Sequence, residues 1–278
     1  MFLLNYLGGD IIFYNVKEKI YFDGKKQVIV YKDYVIDKGF NRSSSNHKFL
    51  IDKLIDGDIG TSEYEFRKNI NMKRSVRRTL NEIYDISRCN CWELFVTLTF
   101  NPEKVDSYDY DEVTKKLKNW LDTIRRKSKD LKYLIVPELH KSGRYHFHGL
   151  FANVDYDKLK LIDSGKRTNT GLVIYNIDSY KWGFSTATKV ENTNAVNKYI
   201  AKYVTKDLAK NTMYRRRYWA SRNCNKPKIL EKYAEPELLI KSLETSRNLI
   251  SKQVKQYTYV NDDGEEFKSE VIYFELDS

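Results

Sequence analysis

The sequence predicts an α+β fold: an antiparallel sheet of about five strands with flanking helices, and smaller additions at both ends. Three observations carry this expectation. Strand, helix, hairpin, strand and helix patterns follow one another through the middle of the chain. LFVTLTF, residues 94–100, is an unbroken run of strand-forming residues closed by Asn101-Pro102. KYLIVPELH (132–140) and RYHFHGLFANV (144–154) are two strand patterns separated only by Lys141-Ser142-Gly143.

Taken in order, residues 1–60 read as a β-rich segment, with a hairpin turn at Asp23-Gly24 between runs of Val, Ile and Tyr. Residues 61–210 form the expected core domain. From Thr61 the period becomes helical, with Ser62 as cap and Phe66, Ile70, Val76, Leu80 and Ile83 near helical spacing. KRSVRR, residues 73–78, makes the outer side of that helix basic. LFVTLTF reads as a central strand buried on both sides. DYDEVTKKLKNWLDTIRRK (109–127) is an amphipathic helix with Val113, Leu117, Trp120, Leu121 and Ile124 on one face. The hairpin follows, then a strand over 179–190 and a helix from Asn194, as cap, to about Ala209. Residues 211–278 are read as a basic arm, a helix over Glu235–Ile250 and a terminal hairpin turning at Asp263-Gly264.

Lys and Arg outnumber Asp and Glu by 49 to 38, and the resulting +11 suits a polyanionic partner, nucleic acid first. No long apolar run and no basic leader ahead of an apolar stretch is seen, so no membrane association and a cytoplasmic location are expected. Three cysteines without a repeated CxxC spacing exclude a disulfide framework or a Cys-rich zinc site.

Only four histidines occur, and two of them flank Phe147. Residues i and i+2 of a strand share a face, so His146 and His148 project together while Phe147 enters the opposite layer. Two imidazoles side by side can hold a divalent metal if a third donor joins them, and the preceding strand offers Glu138. Hairpin parity decides the matter. A three-residue turn at Ser142–Arg144 pairs Glu138 with His148, His140 with His146 and Leu139 with Phe147 on the core side. A two-residue turn at Ser142-Gly143 sets Glu138 opposite Phe147, on the wrong face. Metal chemistry needs the odd turn. His140 sits near it as a lesser candidate. The alternative is a pair of merely exposed strand histidines.

NAVNKYIAKYVTKDLAK (194–210) repeats Val196, Ile200, Val204 and Leu208 as a buried stripe. Tyr199 and Tyr203 share the next stripe, and Lys198, Lys202 and Lys206 a third. Each tyrosine has a lysine three residues on, Lys202 and Lys206, so each phenol gains a neighbouring ammonium. Cations favour the phenolate and offset charge that builds on a phosphoryl group under attack.

Taken together, FVTLTF, ELHKSGRYHFHGL and YIAKYVTK resemble the three motifs of the HUH endonucleases, the replication initiators of rolling-circle plasmids and single-stranded DNA phages. The resemblance spans roughly residues 75–210 and is closest to the two-tyrosine form of phage gene A proteins. It implies Mn²⁺ or Mg²⁺ held by Glu138, His146 and His148, and cleavage of single-stranded or hairpin origin DNA. It also implies attack by Tyr199 or Tyr203, leaving a 5′-phosphotyrosine and a free 3′-OH, with Lys202 and Lys206 steadying phosphate or phenolate. YVTKD is similar to single-tyrosine versions, which favours Tyr203 as the first to act.

YRRRYWASR (214–222) sets Arg215, Arg216, Arg217 and Arg222 among Tyr214, Tyr218 and Trp219, a mixture suited to phosphates and unpaired bases. The rival use of that arm is simple packing. Rival readings of the whole chain are a transposase or relaxase of the same superfamily and a non-catalytic DNA-binding regulator. Relaxases usually carry a third ligand histidine and an early tyrosine, whereas here the tyrosines follow the H-x-H. Gly165-Lys166-Arg167-Thr168 lacks the preceding glycine of a P-loop, so a host helicase and a host DNA polymerase are the expected partners.

Overall fold

The structure, a computed structural model, describes residues 12–37, 61–213, 215–260 and 266–278. The chain divides into two compact units, Glu65–Lys226 and a second assembled from both ends, Met1–Tyr64 with Pro227–Ser278. Among the described residues no helix is long and apolar enough to cross a membrane.

The larger unit is built on a seven-stranded antiparallel sheet. Its strands are β3 (Leu94–Phe100), β4 (Lys132–Leu139), β5 (Tyr145–Ala152), β6 (Leu161–Arg167), β7 (Val173–Ile177), β8 (Gly183–Lys189) and β9 (Trp219–Ala220). Their spatial order is β6-β7-β8-β3-β5-β4-β9. The count exceeds the expected five for two reasons. The turn Thr168–Gly171 folds a β6–β7 hairpin onto one edge, and the short β9 pairs with β4 at the other.

Helices α1 (Thr61–Arg88) and α2 (Tyr110–Lys127) lie in this part of the chain. The side chains of Ser62, Phe66 and Ile70 lie outside the described residues; farther along α1, Ile83 and Ile86 are buried in the core. Asp109 caps α2 by accepting from the backbone N–H groups of Asp111 and Glu112. The apolar stripe of α2 (Val113, Leu117, Trp120, Leu121, Ile124) is buried as its spacing predicts, with Trp120 against Phe151 and Tyr180. Each such side chain contributes about 1.5–3 kcal/mol through burial.

LFVTLTF departs from the expectation of a doubly buried strand. Leu94, Val96, Leu98 and Phe100 are buried, whereas Phe95, Thr97 and Thr99 are only half-buried. The two threonines are polar and point, with period 2, to the face that carries the histidines. The strands buried on both faces are β4, through Tyr133–Pro137, and β5, through Phe147–Ala152.

The expected continuous helix after Asn194 is instead three pieces. With α3 the one-turn Tyr156–Leu159 upstream, α4 is Thr193–Ile200, Ala201–Tyr203 is a 3₁₀ turn and α5 is Lys206–Asn211. Asn192, not Asn194, caps α4, accepting from the N–H of Ala195. The interruption has a local cause. Thr205 takes extended backbone and its hydroxyl accepts from Leu208 N–H, starting a new helix with Asp207 in its first turn. Ile200, Val204 and Leu208 are still buried as the stripe predicts.

The second unit comprises β1 (Ile12–Ile20), β2 (Lys26–Asp37), β10 (Lys228–Lys232), β11 (Leu249–Val260) and β12 (Glu266–Leu276). They form a five-stranded antiparallel sheet of order β10-β1-β2-β12-β11. The expected turn at Asp23-Gly24 is present, with Gly24 at φ +79°. The turn at Asp263-Gly264 lies outside the described residues. The helix expected over Glu235–Ile250 is the shorter α6 (Pro236–Glu244), because Leu249 already belongs to β11. Leu239, Ile240 and Leu243 of α6 pack on Val16, Val28, Val30, Ile272 and Phe274. The two units divide after Tyr64 and after Lys226. The two terminal segments pair with each other through β2 and β12, and the arm after 210 belongs to the larger unit.

Candidate active site

Strand register assembles the site. Lys141-Ser142-Gly143 forms a three-residue turn, closed by His140 N–H donating to Arg144 C=O and opened by Gly143 at φ +83°. The turn is odd in length, as ligand chemistry requires, but sits one residue earlier than Ser142–Arg144. Glu138 therefore faces His146, not His148; Val136 faces His148, and Leu139 faces Tyr145 in place of Phe147. Parity is unaffected, so Glu138, His146 and His148 still share one face.

The carboxylate reaches diagonally along that face. Glu138 Oε2 lies 2.7 Å from His148 Nε2. A carboxylate only accepts, so His148 donates from Nε2, and its Nδ1 accepts from the Thr97 hydroxyl at 3.1 Å. Thr99 Oγ1 stands 3.2 Å from His146 Nδ1 in the same manner. Each imidazole is thus held at Nδ1 by a threonine of β3, which fixes the ring and turns Nε2 of His148 to Glu138. Burial pulls both imidazoles below the usual histidine range; the charge of Glu138 opposes the shift in each, and His140 and His148 add to it in His146. Both are therefore neutral near pH 7, the form that ligates metals.

His140, expected opposite His146, lies beside Arg144 instead, and its ring centroid is 5.3 Å from that of His146. Among the described residues no three His, Cys, Asp or Glu side chains stand in a metal-holding arrangement. The carboxylate is spent on His148 instead. The donor types nonetheless fit a divalent ion. Glu138 and His148 stand 2.7 Å apart, near the roughly 3 Å between neighbouring ligands of an octahedral ion, and ligation would replace their hydrogen bond with His148 unprotonated at Nε2.

Over this face lie the two tyrosines. Tyr203 stacks flat on His148, with centroids 3.6 Å apart and an interplanar angle of 10°. Tyr199 meets Tyr203 edge-on at 5.3 Å and Phe95 at 5.6 Å, and remains 45% exposed. Lys202 Nζ is 5.6 Å from the Tyr199 ring centre. The side chains of Lys198 and Lys206 lie outside the described residues. Burial pushes the Tyr203 phenol well above the ordinary tyrosine range, and the neighbouring Tyr199 and the negative Glu138 push it further. The helix changes from α to 3₁₀ after Ile200, between the two tyrosines. They meet because the 3₁₀ turn tightens the chain between them.

The basic arm divides. Arg215, Arg216 and Arg222 are exposed, Arg215 in an ion pair with Asp111 at 2.9 Å. Tyr214 lies outside the described residues. Arg217 and Trp219 are not available to DNA, each being only 5% exposed. Arg217 donates to Thr212 Oγ1, Ser75 Oγ and the Ala209 carbonyl, and Trp219 packs edge-to-face on Phe147 at 5.5 Å. The packing alternative holds for these two because the arm returns into the sheet edge as β9. Sequence reading missed Thr97 and Thr99 as the hydroxyls holding the histidines. Their signal was present in the T-x-T spacing, which puts both on one face of β3.

Residues 93–208 match a family model for replication-associated proteins of the ORF2 type. That span runs from the start of β3 into α5 and contains every tyrosine, histidine and acidic residue of the site just described. The match supports a replication-initiator role, and with it DNA binding. No curated protein and no solved structure matches the chain.

Proposed function

We propose that this protein is an HUH-type initiator that nicks and rejoins single-stranded DNA at a rolling-circle origin. The observation that carries the reading is the flat stack of Tyr203 on His148, with Glu138 on the other edge of that imidazole. A nucleophile and a set of hard donors lie together, inside the span shared with replication-associated proteins.

Glu138, His146 and His148 are the residues that would hold Mn²⁺ or Mg²⁺, and such an ion, when bound, supplies Lewis-acid polarisation of the scissile phosphate. Thr97 and Thr99 keep the two rings turned for that task. The Tyr203 oxygen attacks phosphorus and gives up its proton as the new O–P bond forms. The bond from phosphorus to the 3′ oxygen breaks, and that oxygen takes up a proton to become a free 3′-OH. The DNA 5′ phosphate remains on the tyrosine, so the energy of the phosphodiester is retained for rejoining. A phenol held above its ordinary range resists ionisation, so proton removal must accompany attack rather than precede it. Tyr199, more open and with Lys202 beside it, takes the second cut, and Lys206 serves Tyr203. Arg216 and Arg222 hold flanking phosphates. A host helicase and a host polymerase then unwind and extend from the 3′-OH.

A hairpin origin oligonucleotide tests this directly. Cleavage is expected with Mn²⁺ or Mg²⁺ and is lost on adding EDTA. Binding without cleavage under every divalent ion overturns the nuclease reading and favours a regulator.

A further inference from the structure

Strand β8 is inverted relative to an ordinary half-buried strand. Its inward positions are small, Ser185 and Ala187, while its bulkiest residue, Phe184, faces out and is 74% exposed. Among the described residues it is the most exposed large apolar side chain. Single exposed apolar residues are commonplace and carry little meaning. This one has a defined address.

Glu138 pairs with His146, His146 with Thr99, and Thr99 with Phe184. The four residues form one cross-strand row on one face of the sheet, and paired residues share a face. Phe184 therefore stands two strand spacings, about 10 Å, from His146. Its position is fixed by Gly183. A Cβ there would meet the Thr99 carbonyl oxygen at 2.1 Å, so only glycine lets β8 lie this close to the end of β3. Thr186 and Thr188 continue the same face, opposite Thr97 and Phe95. Beyond them is a groove of about 480 Å³ whose lining includes Phe95, Thr188, Lys189, Asn192, Tyr199 and Lys202. An aromatic ring, a line of hydroxyls and a groove with two lysines thus lead from Phe184 to the tyrosine.

We infer that Phe184 is a stacking platform for one unpaired base of the strand that enters the site, close to the scissile phosphate. The inference rests on the single-stranded DNA reading above and adds a residue to it. The occupant is a nucleobase because the ring is open to solvent on a polar, hydroxyl-lined face continuous with the phosphate-cleaving groups. The chain's +11 charge suits a polyanion, and Lys189 and Lys202 line the adjoining groove. A paired base cannot offer its face to such a ring, so the contact selects single strands.

The test is fluorescence anisotropy with a labelled oligothymidylate and a hairpin duplex of equal length, without metal. Phe184→Ala is expected to weaken oligothymidylate binding by roughly ten-fold or more, Phe184→Tyr to restore it, and neither to change duplex binding. The side chain is 74% exposed and belongs to neither core cluster of the described residues, so melting temperatures should coincide with wild type. Photocrosslinking of an iodouracil-substituted strand to the wild-type protein provides a check without any variant, the expected adduct lying on the peptide that contains Phe184. Wild-type affinity in Phe184→Ala, or an adduct that never maps to that peptide, overturns the platform alone. If wild-type protein does not bind oligothymidylate at all, the single-strand reading fails with it.

Discussion

A buried guanidinium with no carboxylate partner among the described residues is the least expected residue in the basic arm. Arg217 is held by three neutral oxygens, from Thr212, Ser75 and Ala209, and so ties the end of α5 and the arm to α1. Hydrogen bonds from a charged donor are each worth about 1.5–3 kcal/mol, less the cost of burying the charge. Arg217→Ala should therefore destabilise the protein by about 2–3 kcal/mol in urea unfolding and leave the salt dependence of DNA binding unchanged. Exposed Arg216 and Arg222 should behave in the opposite way. Their replacement by Gln should lower the salt slope by about one each and leave stability within about 0.5 kcal/mol of wild type. From sequence the three arginines were indistinguishable, because a run of like residues carries no record of which one turns inward.

Between the elements, close approach matters more than propensity. Gly183 is where the ends of β3 and β8 meet, with Asn101 N–H donating to the Trp182 carbonyl beside it. Gly183→Ala should cost about 1–3 kcal/mol, read as a lower melting temperature, because the Cβ meets backbone rather than a side chain that could yield. The same scale explains what the sequence revealed and what it hid. Period-2 and period-3.6 patterns located β3, α2 and the hairpin closely, and the H-x-H parity put the acidic residue and both histidines on one face. The exact register was not legible, since turns at 141–143 and 142–144 are both odd and both satisfy the pattern. The break after Tyr203 was hidden by a regular apolar stripe, though Thr205 with Asp207 carried a capping signal. The β6–β7 hairpin escaped because β6 is mostly exposed and lacks an alternating apolar pattern, and β7 is only five residues long.

At the scale of the whole molecule, one unit is continuous in sequence and the other is not. Glu65–Lys226 holds every candidate catalytic residue, and the family match lies entirely within it. The other unit closes when N-terminal and C-terminal strands meet, β2 on β12 and β1 on β10. Terminal segments that look unrelated in sequence thus become neighbours, a long-range pairing that local patterns cannot announce. The proposed chemistry belongs to the larger unit, where two phenols beside an acid and two imidazoles would break and hold a DNA phosphodiester. Mass spectrometry of the protein–DNA adduct, formed on a hairpin oligonucleotide with Mn²⁺, tests it most directly. A DNA 5′ phosphate should be found on Tyr203 or Tyr199, with no adduct in the Tyr199→Phe, Tyr203→Phe double variant. An adduct that persists in the double variant, or that maps to any other residue, would contradict the claim.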